Sequence, residues 1–472
     1  MPPLLLAALW AINIVVIVYF VALNLGYLVT SLVAFRALRR YARHLRTLDT
    51  EELLTAAGAP PITLIAPAYN EEATCVEATR SLLTLRYPEY EILVVNDGSA
   101  DSTLARMTDA FDLEPATRAP TGRLATKPVR GLYRSRTHPN LWVVDKANGG
   151  KSDALNVGLN HCRTPLFCAM DADSLLERDA LVRVVRPFLE DHDMIAAGGI
   201  IRIVNGCTVQ RGEVTRVTLP RRLLPRFQVL EYLRAFLSGR MGWAAIQATL
   251  IISGAFGLFR RSIVVEAGGF ATDTVGEDME LVVRLHRYCR ERGIPYGVTF
   301  VPDPVAWTEC PESVRILGRQ RDRWQRGLTE VLMRHRRMLF NPRYGRIGML
   351  AYPYFFFLEM LGPAVEVAGY VAFAILVAFG YTSTRYTVAF LAVAIVFGVS
   401  LSVAAVGLEE LSFRRYPRFG HLMHLFSLAV AENFGYRQLS TYWRVRGMIS
   451  AMRGKKGWGA MTRTGFAAGA GA

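Results

Sequence analysis

The sequence predicts an α/β domain on the cytosolic side of a membrane, with transmembrane helices before and after it and amphipathic helices at the interface. Three observations predict this arrangement: an uncharged segment at 1–35, alternating short apolar strands and helical stretches at 60–301, and a second apolar region at 347–411. The chain has 472 residues, 51% apolar content and a formal net charge of +15. An apolar and basic composition is typical of membrane proteins whose cytoplasmic loops carry Lys and Arg, and it excludes a disordered chain.

The N-terminal segment 1–35 is long enough to cross a bilayer, which takes about 20 apolar residues. It is too long for a cleavable signal peptide and lacks the leading positive charge of one. A basic linker follows at 36–59, with arginines at 36, 39, 40, 43 and 46. Because basic flanks stay in the cytoplasm, we expect Met1 outside the cell and the next domain in the cytosol.

The cytosolic domain is predicted at 60–301, with strands at 62–66, 92–95 and 166–170 and a polar surface excursion at 117–138. Two basic amphipathic helices are expected, one at 221–247 inside this domain and one within the interface region 302–346. Both are predicted to lie on an anionic membrane surface. The alternative is that they pack on the soluble domain and expose their arginines to solvent.

The second membrane region is predicted as a transmembrane hairpin at 347–411, with a short external turn at 381–385, because basic residues flank both outer ends. The remainder, 412–472, is predicted as an interfacial or re-entrant helix and a basic tail. Six scattered cysteines show neither paired spacing nor Cys/His ligand spacing, which indicates reduced thiols rather than a zinc site or a disulfide framework.

Acidic residues follow two of the apolar strands. Asp97 follows the strand at 92–95, where the simpler interpretation is a turn residue that accepts backbone hydrogen bonds. Asp171 and Asp173 end the apolar run at 166–170. Carboxylates of this kind suit Mg²⁺ or Mn²⁺ shared with a diphosphate, although an isolated D-x-D sequence is common in proteins.

Two further clusters complete the pattern. Glu277 and Asp278 open a predicted helix, where an acidic pair also serves as an ordinary N-terminal cap. Gln320, Arg323 and Trp324 share one helical face at spacing i, i+3 and i+4. A glutamine, a guanidinium fork and an indole ring together fit a phosphate beside a sugar.

The order of these motifs resembles the membrane-integrated family 2 glycosyltransferases, the group that contains hyaluronan, chitin, cellulose and poly-N-acetylglucosamine synthases. The resemblance covers roughly residues 60 to 460. The residues that carry it are Pro67–Glu72, Val95–Ser99, Lys146–Asn156, Asp171–Asp173, Gly276–Asp278 and the Gln320, Arg323 and Trp324 set.

The resemblance implies a nucleotide-sugar fold of the GT-A type and inversion at the anomeric carbon. Asp278 would be the general base, with Glu277 beside it, and Asp173 would ligate Mg²⁺ or Mn²⁺. The residues implied in donor binding are Ala68, Tyr69 and Glu71 beside the uridine, Asp97 holding it, Lys151 and Asp171 near the diphosphate or donor sugar, and Gln320, Arg323 and Trp324 closing over diphosphate and acceptor.

The function implied is a processive inverting synthase that polymerises a sugar from a UDP-sugar, N-acetylglucosamine by resemblance, into a β-linked glycan and assists its export. The alternative is a non-processive enzyme that glycosylates a membrane lipid, as ceramide glucosyltransferases do. A non-catalytic scaffold is disfavoured because every expected carboxylate is present. A nucleic-acid partner would explain the charge but not the spans. Auxiliary export subunits and a homo-oligomer remain open, and the expected location is the inner (plasma) membrane, with several spans.

Some positions depart from the resembled family. Gly276 stands where several relatives have Thr, and about three clear spans are fewer than in cellulose synthases. Glu359 and Glu366 lie seven residues apart on one face of an apolar helix. Carboxylates in a membrane usually face protein or a wet cavity, so they either face the glycan or pair with interfacial arginines.

Overall fold

The fold is described from a computed structural model that covers residues 2–45, 58–210, 212–412 and 419–455. The predicted linker residues 46–57 and tail residues 456–472 lie outside these. The chain divides into two compact units. We call Tyr41–Arg221 with Gln247–Cys310 the sheet unit, and Met1–Arg40, Arg222–Ile246 and Pro311–Gly459 the helical unit. This division assigns Arg222–Ile246 to the helical unit, whereas the sequence-based boundary includes it in the cytosolic domain.

Twelve strands are present in the described residues, ten of them in one sheet with the order β3-β4-β5-β2-β1-β6-β11-β8-β12-β7. The strands are β1 Ile62–Ala68, β2 Tyr90–Asn96, β3 Leu113–Pro115, β4 Val129–Ser135, β5 Leu141–Lys146, β6 Leu166–Met170, β7 Leu175–Leu176, β8 Met194–Ile203, β9 Thr208–Gln210, β10 Glu213–Arg216, β11 Phe256–Arg260 and β12 Gly297–Thr308.

The helices of the described chain are α1 Pro3–Leu45, α2 Cys75–Leu83, α3 Thr103–Phe111, α4 Lys151–His161, α5 Ala180–Glu190, α6 Leu223–Leu233, α7 Met241–Ala245, α8 Arg261–Glu266, α9 Glu277–Arg292, α10 Val314–Arg334, α11 Gly362–Ala378, α12 Thr384–Ser412, α13 Phe419–Ala431 and α14 Tyr436–Met452. Segments of π-helix cover Arg234–Arg240, Ile347–Ala351 and Tyr354–Met360, and 3₁₀ turns cover Arg336–Met338 and Pro342–Tyr344.

The central strands of the sheet unit run parallel. β1 pairs in parallel with β2 on one side and β6 on the other, whereas β11 pairs antiparallel with β6 and β8. Strand β6 is buried along its whole length, which explains its uninterrupted apolar sequence. The predicted strands at 62–66, 92–95 and 166–170 are confirmed.

The prediction of a surface excursion at 117–138 is wrong in its second half. Val129–Ser135 forms β4, which pairs antiparallel with β5 and with the three-residue strand β3. Only Ser135 of this strand is buried. Because β4 lies next to the sheet edge and six of its seven residues are exposed or partly exposed, it lacks the apolar pattern by which a strand is found in sequence.

One buried histidine on α9 predicts how stability depends on pH. His286 Nε2 donates to the Thr249 carbonyl at 2.7 Å, and Nδ1 accepts from the Tyr296 hydroxyl at 2.9 Å. Burial lowers the pKa of His286 to about 4. An unfolded histidine has a pKa of about 6.5, so the unfolded chain binds more protons between these values, and stability is lost as pH falls through this window.

We therefore expect acidification to pH 4.5 to destabilise the wild type more than the His286→Gln variant, by up to about 3 kcal/mol at about 1.4 kcal/mol per pKa unit. The measurement is thermal unfolding of the full-length protein in detergent at a series of pH values. His192→Gln, at an exposed position of the same unit, is the matched control. Equal acid sensitivity of His286→Gln and wild type would contradict the expectation.

Among the described residues, two helical stretches are long and apolar enough to cross a membrane, Pro3–Arg43 and Ile347–Ala378. The predicted helix at 221–247 is present as α6, a π-helical segment and α7. The segment predicted as interfacial or re-entrant contains α13 and α14. Spans on both sides of the sheet unit, the hairpin through α12 and the membrane-surface position of the basic helices stay predictions.

Candidate active site

The site begins where the central parallel strands end. The loops after β1 and β2 are joined by hydrogen bonds: Asp97 N donates to Ala68 O at 2.9 Å, and Asn70 N donates to Ser99 Oγ at 3.0 Å. Ala100 N donates to Asn70 Oδ1 at 2.8 Å in return. In open α/β sheets, ligands bind in the crevice at the carboxyl ends of the strands. The two loops are therefore bonded to each other at the edge of the sheet where such a crevice forms.

The β1 loop presents the residues that the resemblance places beside the uridine. Ala68 ends the strand and is fully buried, whereas the side chain of Tyr69 is 52% exposed. Glu71 accepts from Thr74 Oγ1 at 2.7 Å, and its backbone N–H donates to Thr103 Oγ1 at 2.9 Å. The loop thus holds an exposed aromatic ring on a backbone that is fixed from both sides.

Asp97 is buried and organises the glycine loop that precedes α4. Its carboxylate accepts from the backbone N–H groups of Gly149 at 3.0 Å and Gly150 at 2.7 Å, and it forms an ion pair with Lys146. Lys146 is fully buried and also lies 2.7 Å from Asp153 Oδ2. The expected turn chemistry at Asp97 is present, and its partners come from the loop 146–153 rather than from its own turn.

Lys151, the first residue of α4, joins the two groups of carboxylates. Its Nζ lies 2.6 Å from Asp171 Oδ1, at the end of β6, and 3.3 Å from Glu277 Oε1, at the start of α9. The same ammonium donates to Gly254 O at 3.2 Å. One lysine thus brings together the β6 end and the α9 start, which are 106 positions apart in sequence from Asp171 to Glu277.

These contacts set the protonation of the cluster. Burial alone would lower the pKa of Lys151, but attraction by Asp171 and Glu277 outweighs it and holds that pKa above its ordinary value. Burial raises the pKa of Glu277, which Lys151 opposes and Asp278 reinforces. Lys151 is therefore charged at neutral pH and supplies a fixed positive charge inside the site.

Asp278 is held at the N-terminus of α9. Its Oδ2 accepts from Gly254 N at 3.0 Å, and its Oδ1 accepts from Met279 N at 2.8 Å. A Cβ atom at position 254 would lie 2.8 Å from Lys151 Nζ, so a larger residue there would displace the lysine ammonium. Asp278 itself is partly exposed, which leaves its carboxylate within reach of a ligand. Both hydrogen bonds come from backbone N–H groups, which fix the orientation of the carboxylate.

The acidic pair after β6 bears on metal binding. Asp171 is paired with Lys151, and Asp173 is 3% exposed in the turn between β6 and β7. Within the described residues, no cluster of three or more His, Cys, Asp or Glu side chains is placed to hold a metal ion. Mg²⁺ commonly binds one or two carboxylates and takes its other ligands from water and substrate phosphates. The donor set fits a cation that arrives with a diphosphate.

The residues Gln320, Arg323 and Trp324 lie on α10, in the helical unit. Trp324 is 43% exposed, and the Arg321 guanidinium lies 4.3 Å from its ring centroid. Gln320 Oε1 is buried without a hydrogen-bond partner among the described residues. The predicted helix is confirmed, and the three side chains share the expected face. They belong to a different unit from the residues of the strand crevice.

Sequence reasoning assigned no role to several residues of the site. Lys146 and Asp153 lie inside the motif Lys146–Asn156. A lysine at the end of an apolar strand is the sequence signal for a buried ion pair, which Lys146 forms with Asp97. Gly254 lies two positions after the apolar run 250–252, and no sequence pattern distinguishes it. Its importance is evident only from the structure, in which Lys151 and Asp278 lie on either side of it.

Glu359 and Glu366 are both engaged within the helical unit. Glu359 accepts from the Tyr27 hydroxyl and lies 3.4 Å from Arg444 Nη2. Glu366 accepts from the Tyr370 hydroxyl at 2.6 Å and from Thr441 Oγ1 at 2.9 Å. Glu359 therefore pairs with an arginine, which is one of the two alternatives predicted for these carboxylates. Glu366 is instead held by hydroxyl groups.

Comparison with known proteins places this site in a family. Residues 63–266 match the model of glycosyl transferase family 2, and residues 166–401, half of the chain, match the model of glycosyl transferase family group 2. The chain belongs to the family 2 glycosyltransferases. The site at the ends of β1, β2 and β6 lies within the matched residues.

Two curated relatives are poly-β-1,6-N-acetyl-D-glucosamine synthases. The one from Staphylococcus aureus strain COL is 28% identical over 274 residues, and the one from Staphylococcus epidermidis is 27% identical over 274 residues. Each match covers 58% of this chain and 56% of the relative, so the chain spans just over half the length of these relatives.

A solved structure of a mannosyltransferase from Pyrobaculum calidifontis, in complex with GDP-Man and Mn²⁺, aligns with a TM-score of 0.54 at 19% identity. The alignment covers 89% of this chain and 99% of that chain. The likeness supports the same fold, and the predicted GT-A-type α/β architecture is confirmed.

Proposed function

We propose that this protein is a processive inverting glycosyltransferase that transfers N-acetylglucosamine from UDP-N-acetylglucosamine to a growing β-linked glycan at a membrane. The observation that carries the proposal is the bridge made by Lys151 between Asp171 and Glu277. This bridge joins the end of strand β6, on the side where the nucleotide is proposed to bind, to the start of helix α9, which carries Asp278. The curated relatives support the choice of sugar and the polymeric product.

The groups in the crevice support each part of the reaction. Tyr69 and Glu71 would border the uridine in the loop that Asp97 and its partners make rigid, and Lys151 would offset negative charge that develops on the departing diphosphate. Asp278 would accept the proton of the acceptor hydroxyl as the new bond forms, within hydrogen-bond reach of it. A divalent ion on Asp173, when bound, would supply further charge stabilisation for the leaving group.

The proposed location is the inner membrane, with the sheet unit in the cytosol. The two long apolar stretches and the exposed arginines 36, 39, 40 and 43 at the end of α1 support it. Export of the glycan, auxiliary subunits and self-association are part of the same proposal and depend on the acceptor being a polymer.

The donor is tested by offering the purified full-length protein, in lipid, separately labelled UDP-N-acetylglucosamine, UDP-glucose and GDP-mannose with Mg²⁺ or Mn²⁺. We expect label to enter an acceptor from UDP-N-acetylglucosamine, at least about tenfold faster than from the other two, since a pocket that hydrogen-bonds a substrate group discriminates strongly against donors that lack it. Preferred use of GDP-mannose would overturn the assignment of the donor.

Metal use gives a second expectation. Asp173→Asn removes a negative charge from a hard-cation site, so the variant should need at least about tenfold more Mg²⁺ or Mn²⁺ for half-maximal rate. The measurement is a metal titration of the transfer rate after EDTA treatment. Asp179→Asn, at the partly exposed N-cap of α5, is the matched control. Full turnover of Asp173→Asn in EDTA would show that the site does not work through a metal.

Trp324 provides an expectation for the helical unit. Trp324→Ala should lower the transfer rate at least about tenfold while changing UDP affinity by less than about threefold, because an indole stacks on a sugar ring rather than on the diphosphate. Rates are compared with UDP binding measured by calorimetry. Met333→Ala, at another exposed position on α10, is the control. A loss of UDP affinity in step with the rate would place Trp324 in the donor site instead.

A further inference from the structure

The C-terminal helix α14 lies along α10 and bonds to it through arginines. Arg446 Nε donates to Asp322 Oδ2 at 2.7 Å, and its Nη2 donates to the Gly318 carbonyl at 3.2 Å. Arg444 Nε donates to Gln325 Oε1 at 2.9 Å. Two side chains of α14 thus bond to Gly318, Asp322 and Gln325, which lie about one turn apart along one side of α10.

Glycines allow the two helices to approach closely. A Cβ atom at Gly447 would lie 2.3 Å from the backbone oxygen of Asp322, and one at Gly318 would lie 2.6 Å from Trp443 Nε1. Backbone atoms cannot move aside as a flexible side chain does. Alanine at 447 therefore requires α10 and α14 to separate or rotate.

A second helix fixes the same part of α10. Arg321 is buried and pairs with Glu231 on α6, and Tyr436 of α14 donates its hydroxyl to Glu231 Oε2 at 2.7 Å. The Arg321 guanidinium also lies against the ring of Trp324. A displacement of α6 or α14 would therefore move Arg321 and, with it, the exposed indole ring of Trp324.

The two sets of residues on α10 are centred on opposite sides of the helix, and they meet where Arg321 of one set contacts Trp324 of the other. The held residues Gly318, Arg321, Asp322 and Gln325 have the spacing i, i+3, i+4 and i+7 and share one face. Gln320, Arg323 and Trp324 are offset from that face by two residues, which is about 200° of rotation at 3.6 residues per turn. Any rotation of α10 against α14 therefore displaces the motif side chains on the far side.

We propose that α14 is the backing helix of the Gln320, Arg323 and Trp324 motif, and that Arg446 and Gly447 are positioning residues for transfer to the acceptor. This inference rests on the proposed function of that motif. Both residues act through their contacts with Asp322. Because displaced reacting groups reduce rate more than they reduce binding, the effect should appear in the transfer step rather than in the affinity for UDP.

The test compares Gly447→Ala with Gly420→Ala in the full-length protein. A Cβ at Gly420, on α13, meets no atom of the described residues within 4 Å, so it matches the chemical change without the contact. We expect Gly447→Ala to lower sugar incorporation at least about tenfold, with UDP affinity within about threefold and a larger fraction of released UDP accompanied by hydrolysed sugar. Gly420→Ala should stay within about twofold of wild type.

Arg446 gives a second variant that keeps the test open if Gly447→Ala fails to fold. The Arg446 side chain is 45% exposed, and exposed ion pairs contribute little to stability, so Arg446→Gln should fold. We expect it to show the same loss of incorporation at retained UDP affinity, and Arg446→Lys, which keeps the charge opposite Asp322, to recover about half of the rate. Wild-type incorporation by Arg446→Gln, or a parallel loss of UDP affinity, overturns the inference.

A readout without catalysis separates the inference from the proposed function. Hydrogen exchange at residues 318–325 should be at least about tenfold faster in both variants than in Gly420→Ala if α14 holds α10 in place. Unchanged exchange overturns the backing role even when the enzyme is active. Conversely, a wild type that incorporates no sugar from any donor contradicts the proposed function, and the exchange result still decides whether α14 positions the helix.

Discussion

Replacing Asp278 with asparagine is expected to lower the transfer rate by at least about a hundredfold, because base catalysis typically contributes 10²- to 10⁴-fold. The amide keeps the size of the side chain and one acceptor for the N–H groups of Gly254 and Met279, but it cannot take a proton. A base acts on the acceptor only. UDP affinity, measured by calorimetry with metal present, should therefore change by less than about fivefold, or about 1 kcal/mol.

The matched control is Glu291→Gln, near the other end of α9, where the carboxylate pairs with Arg287 in a partly exposed i, i+4 pair. We expect its rate within about twofold of wild type, because exposed ion pairs contribute little. A loss of UDP binding by Asp278→Asn in step with its rate would assign Asp278 to the donor or metal site, and the base would then be a different carboxylate.

Lys146→Met is expected to destabilise the sheet unit by about 3 to 5 kcal/mol, the usual effect of removing one partner from a buried ion pair. The Lys146 ammonium is fully buried between Asp97 and Asp153, and it also donates to Ala147 O at 2.6 Å. Without it, two carboxylates remain buried with no cation between them. The glycine loop that Asp97 holds should loosen, and UDP binding should weaken with it.

The measurement is thermal unfolding of the full-length protein in detergent, where 3 to 5 kcal/mol corresponds to a melting temperature lowered by about 6 to 20 °C for a unit of this size. Lys127→Met is the control: its side chain is exposed, and only its backbone N–H bonds to Asp153, at 3.0 Å. A surface change of this kind stays within about 0.5 kcal/mol. A Lys146→Met protein as stable as the control would show that the pair contributes nothing net.

The central strands were predictable because buried strands have uninterrupted apolar sequences. β1, β2 and β6 are apolar runs followed by polar loops, and their parallel pairing brings Ala68, Asp97 and Asp171 to one edge. β4 was not predictable, since its exposed positions alternate weakly and its partner β3 has three residues. The π-helical segments were not predictable either, because they depend on packing rather than on the helical period.

The identity of the site residues was predictable from motif order, but their partners were not. The sequence shows Asp97, Lys151 and Asp278 as separate clusters, and nothing in the spacing shows that Lys151 contacts both Asp171 and Glu277. Contacts between residues that are distant in sequence depend on strand order and on the start of α9. For the same reason, Gly254 and Glu231 were not found: each acts by its location in the fold rather than by a local pattern.

The most direct measurement is the size of the product made by purified full-length protein in lipid during a short pulse of labelled UDP-N-acetylglucosamine followed by excess unlabelled donor. A processive synthase retains its chain between transfers, so the pulse label should move into glycan of increasing mass that a β-specific hexosaminidase degrades to N-acetylglucosamine. Label that stays as a single sugar on extractable lipid would contradict the account and favour a lipid glycosyltransferase.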